Sequence, residues 1–228
     1  RCYALLIDQI KGTAPANAGG DVQRAWFALR DADDGCTHAV SQFYADGKLS
    51  KLDVWRKARL AVEANRPRAA RNAVEIVAPE SLDKMRELLD APTKYLRAHS
   101  TAAGKARQEL VLLALLKLAT SDPDSAAYQL DSKWGVHLSP EERNWAWGVM
   151  GKAAAQRLSP DANGYFANVT RDTDLSDDQL AWKVRAALRA GQWTVVRKAV
   201  DAMSEEARQD STWVYWKARA LLAGRPQE

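Results

Sequence analysis

The sequence has little of what enzymes use for chemistry. Its 228 residues include only 3 histidines and 2 cysteines. His38, His99 and His137 stand far apart, and none has a second His or Cys at metal-ligand spacing, so no metal site is expected. His38 follows Cys36 by two residues, but a catalytic Cys–His pair also needs an orienting group, and the sequence announces none. There is no glycine-rich phosphate loop: Gly19 and Gly20 read as an isolated pair in a polar linker, and no cofactor motif is present. With 12 Gly and 8 Pro the chain is neither collagen-like nor of low complexity. The longest apolar run, Leu110 to Ala119, is interrupted by Lys117 and falls well short of the roughly 20 residues a bilayer span requires. Charge of one sign is scarce too. The 33 basic and 29 acidic residues leave a net +4, and the two signs alternate along helical segments as on a solvated helix face. Nucleic-acid binding calls for a gathered basic stripe, which is missing.

What the sequence does have is helical periodicity. Apolar residues recur at a spacing of 3.6 almost everywhere, and strand-like alternation is nearly absent. Helices are predicted from Asp21, over Cys36 to Tyr44, behind Ser50, and from Pro67 to Val77. Further helices are predicted over Ser81 to Leu89, Pro92 to Ala98 and Ala103 to Ala119, with a brief one from Pro123 to about Lys133. Ser139-Pro140-Glu141-Glu142 is the strongest helix start, combining a cap hydroxyl, proline at the first position and a carboxylate three residues after the cap. The remaining helices are predicted at Ala162 to Val169, Ser176 to Ala190, Trp193 to Met203 and Ser211 to Ala223. The total is about a dozen to fourteen helices joined by short loops, an all-α array. Paired carboxylates at Asp33-Asp34, Glu141-Glu142, Asp177-Asp178 and Glu205-Glu206 fall at helix starts or turns, where they suit backbone N–H groups better than acid–base work.

One phrase recurs. Arg56-Lys57-Ala58-Arg59-Leu60-Ala61-Val62, Trp182-Lys183-Val184-Arg185-Ala186-Ala187-Leu188 and Trp216-Lys217-Ala218-Arg219-Ala220-Leu221-Leu222 are variants of it, and Arg185 and Arg219 are 34 residues apart. That is the period of a tetratricopeptide-type hairpin, whose stacking builds a superhelical solenoid of antiparallel helices. A compact bundle is the alternative architecture. Tryptophan is over-used, 9 against 3 Phe, and these indoles read as core rather than as ligand platforms. Trp145-Ala146-Trp147 must send one indole inward and the other sideways. Cys2 and Cys36 fit either two buried thiols or a disulfide, and the residues alone leave both open.

The run Arg1-Cys2-Tyr3, the later Cys36, the segment Trp55 to Asn65, Val184 to Gln192 and Trp213 to Leu222 together resemble the helical region of the soluble lytic murein transglycosylases, in the same order along the chain. The resemblance implies a periplasmic protein and a Cys2–Cys36 disulfide. It also implies a parent enzyme that cleaves the β-1,4 bond between N-acetylmuramic acid and N-acetylglucosamine of peptidoglycan, leaving a 1,6-anhydro end. The family's catalytic Glu commonly stands in a Glu-Ser pair ahead of glycine-rich and Gln-containing segments. The one Glu-Ser pair here, Glu80-Ser81, follows Pro79 and has no such segments after it, so no catalytic residue is assigned. Residues 1–228 are therefore expected to be a single superhelical fragment, inactive by itself, with a lysozyme-like domain after residue 228. The chain opens without Met and closes on Gly224-Arg225-Pro226-Gln227-Glu228 as if turning toward another helix, so both ends are expected to lie inside a longer polypeptide. Arg56, Arg59, Arg185, Arg189 and Arg219 are candidates for guiding glycan on a concave face, and the expected partner is peptidoglycan. Two other readings stand beside this one: a tetratricopeptide-like adaptor for protein partners outside any enzyme, and a helical packing domain of unspecified role.

Overall fold

The structure is a computed structural model that describes residues 1–224, so the turn expected over the last residues of the chain lies outside the described part. Among the described residues all regular structure is helical and pairs of successive helices pack on each other. The chain divides into two compact units, Arg1–Lys117 and Leu118–Glu228.

In the first unit, α1 (Cys2–Ile10), α2 (Ala18–Ala28) and α3 (Asp34–Ala45) pack together, and a disulfide joins Cys2 to Cys36 with the two Cα atoms 5.0 Å apart. Asp33 caps α3 by accepting a bond from the Cys36 backbone N–H at 2.7 Å, which also fixes the cysteine for the bridge. Gly19 and Gly20 are not linker. They lie in the first turn of α2, where Gly19 is buried, because any Cβ at Gly19 would collide with the Lys48 carbonyl. The requirement there is close approach rather than backbone freedom, and composition alone does not reveal it.

The capping box at Ser50 and Asp53 starts α4 (Lys51–Glu63), and Pro67 starts α5 (Pro67–Val77). The turn between them places Asn65 at φ 55°, and the Arg66 N–H closes on the Ala61 carbonyl at 2.8 Å. Ala69, Ala70, Ala73 and Val74 form the small face that lets α5 lie close on α4, as their spacing predicts. A 3₁₀ turn at Pro79–Ser81 leads into α6 (Leu82–Asp90), α7 (Pro92–Ala98) and α8 (Lys105–Ser121), within which the unit boundary falls.

Two buried cations organise this unit. Arg59 and Glu109 have no solvent exposure; Nε of Arg59 donates to Oε2 of Glu109 at 2.9 Å and an Nη donates to Oε1 at 2.5 Å, joining α4 to α8. Lys105 adds a second cation 2.7 Å from Oε1. Lys57, 2% exposed, donates to the carbonyls of Trp26 and Leu29 at 2.7 and 2.5 Å, closing the C-terminus of α2. Burial pulls its ammonium down to about 8.

In the second unit Asp122 caps α9 (Pro123–Gln129), which widens into a π turn over Leu130–Trp134 and a 3₁₀ turn over Gly135–His137. The predicted capping box at Ser139 and Glu142 starts α10 (Pro140–Gln156), and the structure adds one at Ser176 and Gln179 that starts α12 (Asp177–Arg189). Between them lie α11 (Ala162–Ala167) and a loop tied to α10 by Asn144, whose carboxamide donates to Asp174 at 2.8 Å and accepts from the Thr170 N–H at 3.0 Å. A Cβ on Gly151 of α10 would stand 2.8 Å from the Phe166 ring of α11, so glycine sets the distance between these helices. The hairpin of α12 and α13 (Trp193–Asp201) buries Leu180, Val184, Ala187, Val196, Ala199 and Val200. Then come α14 (Glu205–Arg208), a short helix that the sequence reading missed, and α15 (Ser211–Ala223), which packs on α13.

Asp122 accepts from the Ser125 N–H at 3.0 Å and from its hydroxyl at 2.6 Å, and these bonds hold its carboxyl below the usual 3.8. A carboxyl whose folded pKa lies below its unfolded value stabilises the fold above the unfolded value and loses that contribution as pH falls through the folded one. Between pH 7 and pH 2, wild type is expected to lose more stability than Asp122→Asn, which keeps a capping oxygen but does not titrate, as followed by urea unfolding across that range.

Candidate functional site

The matched phrases give three lysines a common role. Lys57 reaches the carbonyls at the end of α2, Lys183 on α12 reaches Asp172 at 2.6 Å, and Lys217 on α15 reaches Asp201 of α13 at 2.6 Å. Each anchors its helix to an element earlier in the chain. The arginines of the same phrases part company. Arg59 is fully buried on Glu109 and is removed from the glycan-guiding set, because a guanidinium without solvent exposure cannot meet a ligand. Arg185, Arg189 and Arg219 are exposed, and Arg56 is half-buried.

Arg185 and Arg189 line a groove of about 640 Å³ built by the end of α10, α11, α12 and α15. Its walls include Ala155, Leu158, Trp182, Leu188 and Trp216. Arg219 and Arg56 do not line it. The Arg185 guanidinium sits 4.8 Å from the Trp182 ring centre and 5.5 Å from that of Trp213 at the start of α15, held by two indole faces. Asn163 of α11 reaches the groove as well and donates to the Ala186 carbonyl at 3.2 Å.

Reading the tryptophans as core holds for Trp26, Trp55, Trp134 and Trp145, all buried. Trp147 is half-buried and lies alongside Tyr165 with ring centres 6.1 Å apart, so the Trp145–Trp147 pair divides inward and sideways as expected. Trp182 and Trp216 are also half-buried and face the groove, which the core reading missed. Their place at the head of the repeated phrase was the available signal; at the third occurrence of the phrase, much of the helix surface stays uncovered.

No acid–base constellation assembles around Glu80. It is exposed on the 3₁₀ turn, in a cleft with Tyr95, His99 and Arg107. Nδ1 of His99 lies 2.8 Å from the Tyr95 carbonyl, and burial pushes the Tyr95 phenol up to about 12. Among the described residues no cluster of three or more His, Cys, Asp or Glu could hold a metal ion, and no helix is long and apolar enough to cross a membrane.

The groove rim holds a backbone oddity. Leu158 adopts φ 59° where α10 ends, and the Ser159 N–H closes on the Ala154 carbonyl at 3.0 Å. Gly191 does the same work at the end of α12, with φ 67°. For leucine the left-handed region costs about 1–2 kcal/mol, and Leu158 recovers little by burial since it is 64% exposed.

No family model matches the chain, and no curated protein matches it. Among solved structures it is similar to an inactive mutant of the lytic transglycosylase Slt from Pseudomonas aeruginosa, at 22% identity and a TM-score of 0.59. The match covers 100% of this chain and 37% of that one, so the chain spans little more than a third of the protein it resembles. At that identity the likeness establishes a shared all-helical fold.

Replacing Leu158 by Gly relieves the left-handed cost but loosens the unfolded chain by about 0.4–1 kcal/mol. The strain term wins, and Leu158→Gly is expected to gain about 0.5–1 kcal/mol in urea unfolding. A loss of stability would show that the leucine is held there by packing.

Proposed function

We propose that this chain is a non-catalytic helical section of a periplasmic lytic transglycosylase, and that residues 1–228 form one tetratricopeptide-like superhelix in the parent protein. The parent cleaves the MurNAc-β-1,4-GlcNAc bond of peptidoglycan to a 1,6-anhydro end, with its chemistry in a lysozyme-like domain following residue 228. The section frames the enzyme and retains glycan weakly through the exposed Arg185 and Arg189, which share one groove, and through Arg219, exposed, and Arg56, half-buried, which lie elsewhere.

The observation that carries this reading is the likeness to a lytic transglycosylase along the whole of this chain. The Cys2–Cys36 bridge agrees with an oxidising compartment. The exposed apolar residues Val214, Tyr215, Leu221 and Leu222 on α15 favour a second reading, a tetratricopeptide-like adaptor that docks protein partners.

Incubation with purified peptidoglycan sacculi tests the proposal. The chain is expected to sediment with sacculi at about 20 mM salt, to be released at about 150 mM because exposed charge contacts are screened, and to liberate no anhydro-muropeptides. Failure to sediment at low salt would contradict glycan retention and favour the adaptor.

A further inference from the structure

We infer that the groove between α10, α11, α12 and α15 is a discrete binding site for a carboxylate carried on a saccharide ring. The groove is lined by cations and carries no carboxylate of its own. Among the residues lining it there are two arginines and no Asp or Glu. Arg185 makes no ion pair or hydrogen bond to a described residue, only its contacts with two indoles, and Arg189 makes none either. Two unneutralised guanidiniums on one wall recruit a carboxylate, which a guanidinium fork accepts through two parallel N–H bonds.

The fixed position of Arg185 sharpens the point. An exposed arginine ordinarily gives up much rotamer freedom when it binds, whereas this one is already flanked by Trp182 at 4.8 Å and Trp213 at 5.5 Å. Stacking leaves the edge of the guanidinium, where its donors lie, free for a ligand. The rest of the groove selects the body that bears the carboxylate. Trp216 offers flat apolar surface of the kind that packs on the C–H face of a sugar, while Trp182, whose ring carries Arg185, extends the apolar wall with Leu158 and Ala155. The Asn163 amide is anchored by its bond to the Ala186 carbonyl, and its side-chain oxygen, which no described group occupies, provides an acceptor for a hydroxyl or acetamide N–H. A volume of about 640 Å³ lies within the usual range for small-molecule sites. Leu158 fits the same picture: a residue held at φ 59° and left 64% exposed on the rim serves the groove better than it serves the fold.

The choice of a saccharide rests on the peptidoglycan reading above, while the requirement for a carboxylate rests on the groove alone. Titration of the full chain, followed by tryptophan fluorescence, separates the two. The ligands are N-acetylmuramic acid, N-acetylglucosamine, which lacks the carboxylate, and lactate, which lacks the ring, all at equal ionic strength of about 20 mM. Saturable quenching is expected with N-acetylmuramic acid alone, weakened about fivefold or more in Arg185→Gln and in Arg189→Gln and lost toward 150 mM salt. Both sites are exposed, so circular dichroism of the variants is expected to match wild type. An equal response to N-acetylglucosamine, an equal response to lactate, or undiminished binding by both variants would overturn the inference. Sacculus binding without a response to N-acetylmuramic acid would overturn this site and leave the proposed function standing. A response to N-acetylmuramic acid without sacculus binding would support the site and overturn glycan retention.

Discussion

A guanidinium and a carboxylate with no access to water, Arg59 and Glu109, are the constraint around which the first unit is arranged. Burying two charges costs several kcal/mol apiece, and their attraction repays this only with two well-placed hydrogen bonds and further partners. Both conditions are met: the paired bonds measure 2.9 and 2.5 Å, and Lys105 gives the carboxylate a second cation. The consequence is a fixed register between α4 and α8, 50 residues apart in sequence. A slip of one residue along either helix would strand a charge in the core. Apolar packing alone, with its many alanines in α4 and α5, would tolerate such slips far more readily.

The same phrase gives a different result in the second unit. Lys57, Lys183 and Lys217 all anchor their helices backward, so the lysine is the shared architectural part. The arginine two residues later takes its role from what covers it. Over Arg59 lies α8 with its glutamate; over Arg185 lie two indole faces and then solvent. One repeated residue is thus structural in one place and available to a ligand in another, and the difference is burial and not identity. The bridge between Cys2 and Cys36 adds a covalent tie where α1 is short and meets only α2 and α3 among its main neighbours.

Much of the fold was legible in the residues. Ser50 and Ser139 cap helices where the residues predict helix starts, because capping is a local interaction between neighbours in sequence. Pro67, Pro92 and Pro140 start helices for the same local reason. What escaped was decided at a distance. Gly19 looks like linker in the sequence because its partner is a carbonyl at Lys48, remote along the chain. Arg59 was grouped with the exposed arginines because Glu109 lies outside any window that periodicity examines. The short α14 went unseen although Ser204 caps it and Glu205 and Glu206 mark its first turn, since four residues hold less than two helical periods. The groove was half legible: Arg185 and Arg189 were named, while the outward turn of Trp182 and Trp216 depends on which helix covers which face.

Comparison of Arg59→Met with Arg185→Met by urea unfolding in one buffer tests most directly whether burial divides these matched arginines. The substitution is the same and both sites lie inside helices, so propensity cancels. Arg59→Met leaves Glu109 buried without its bidentate partner and is predicted to cost about 3–5 kcal/mol. Arg185→Met gives up exposed cation–π contacts worth roughly 0.5–1 kcal/mol. Losses of equal size, or a larger loss at Arg185, would contradict the division of roles on which both the fold and the groove have been explained.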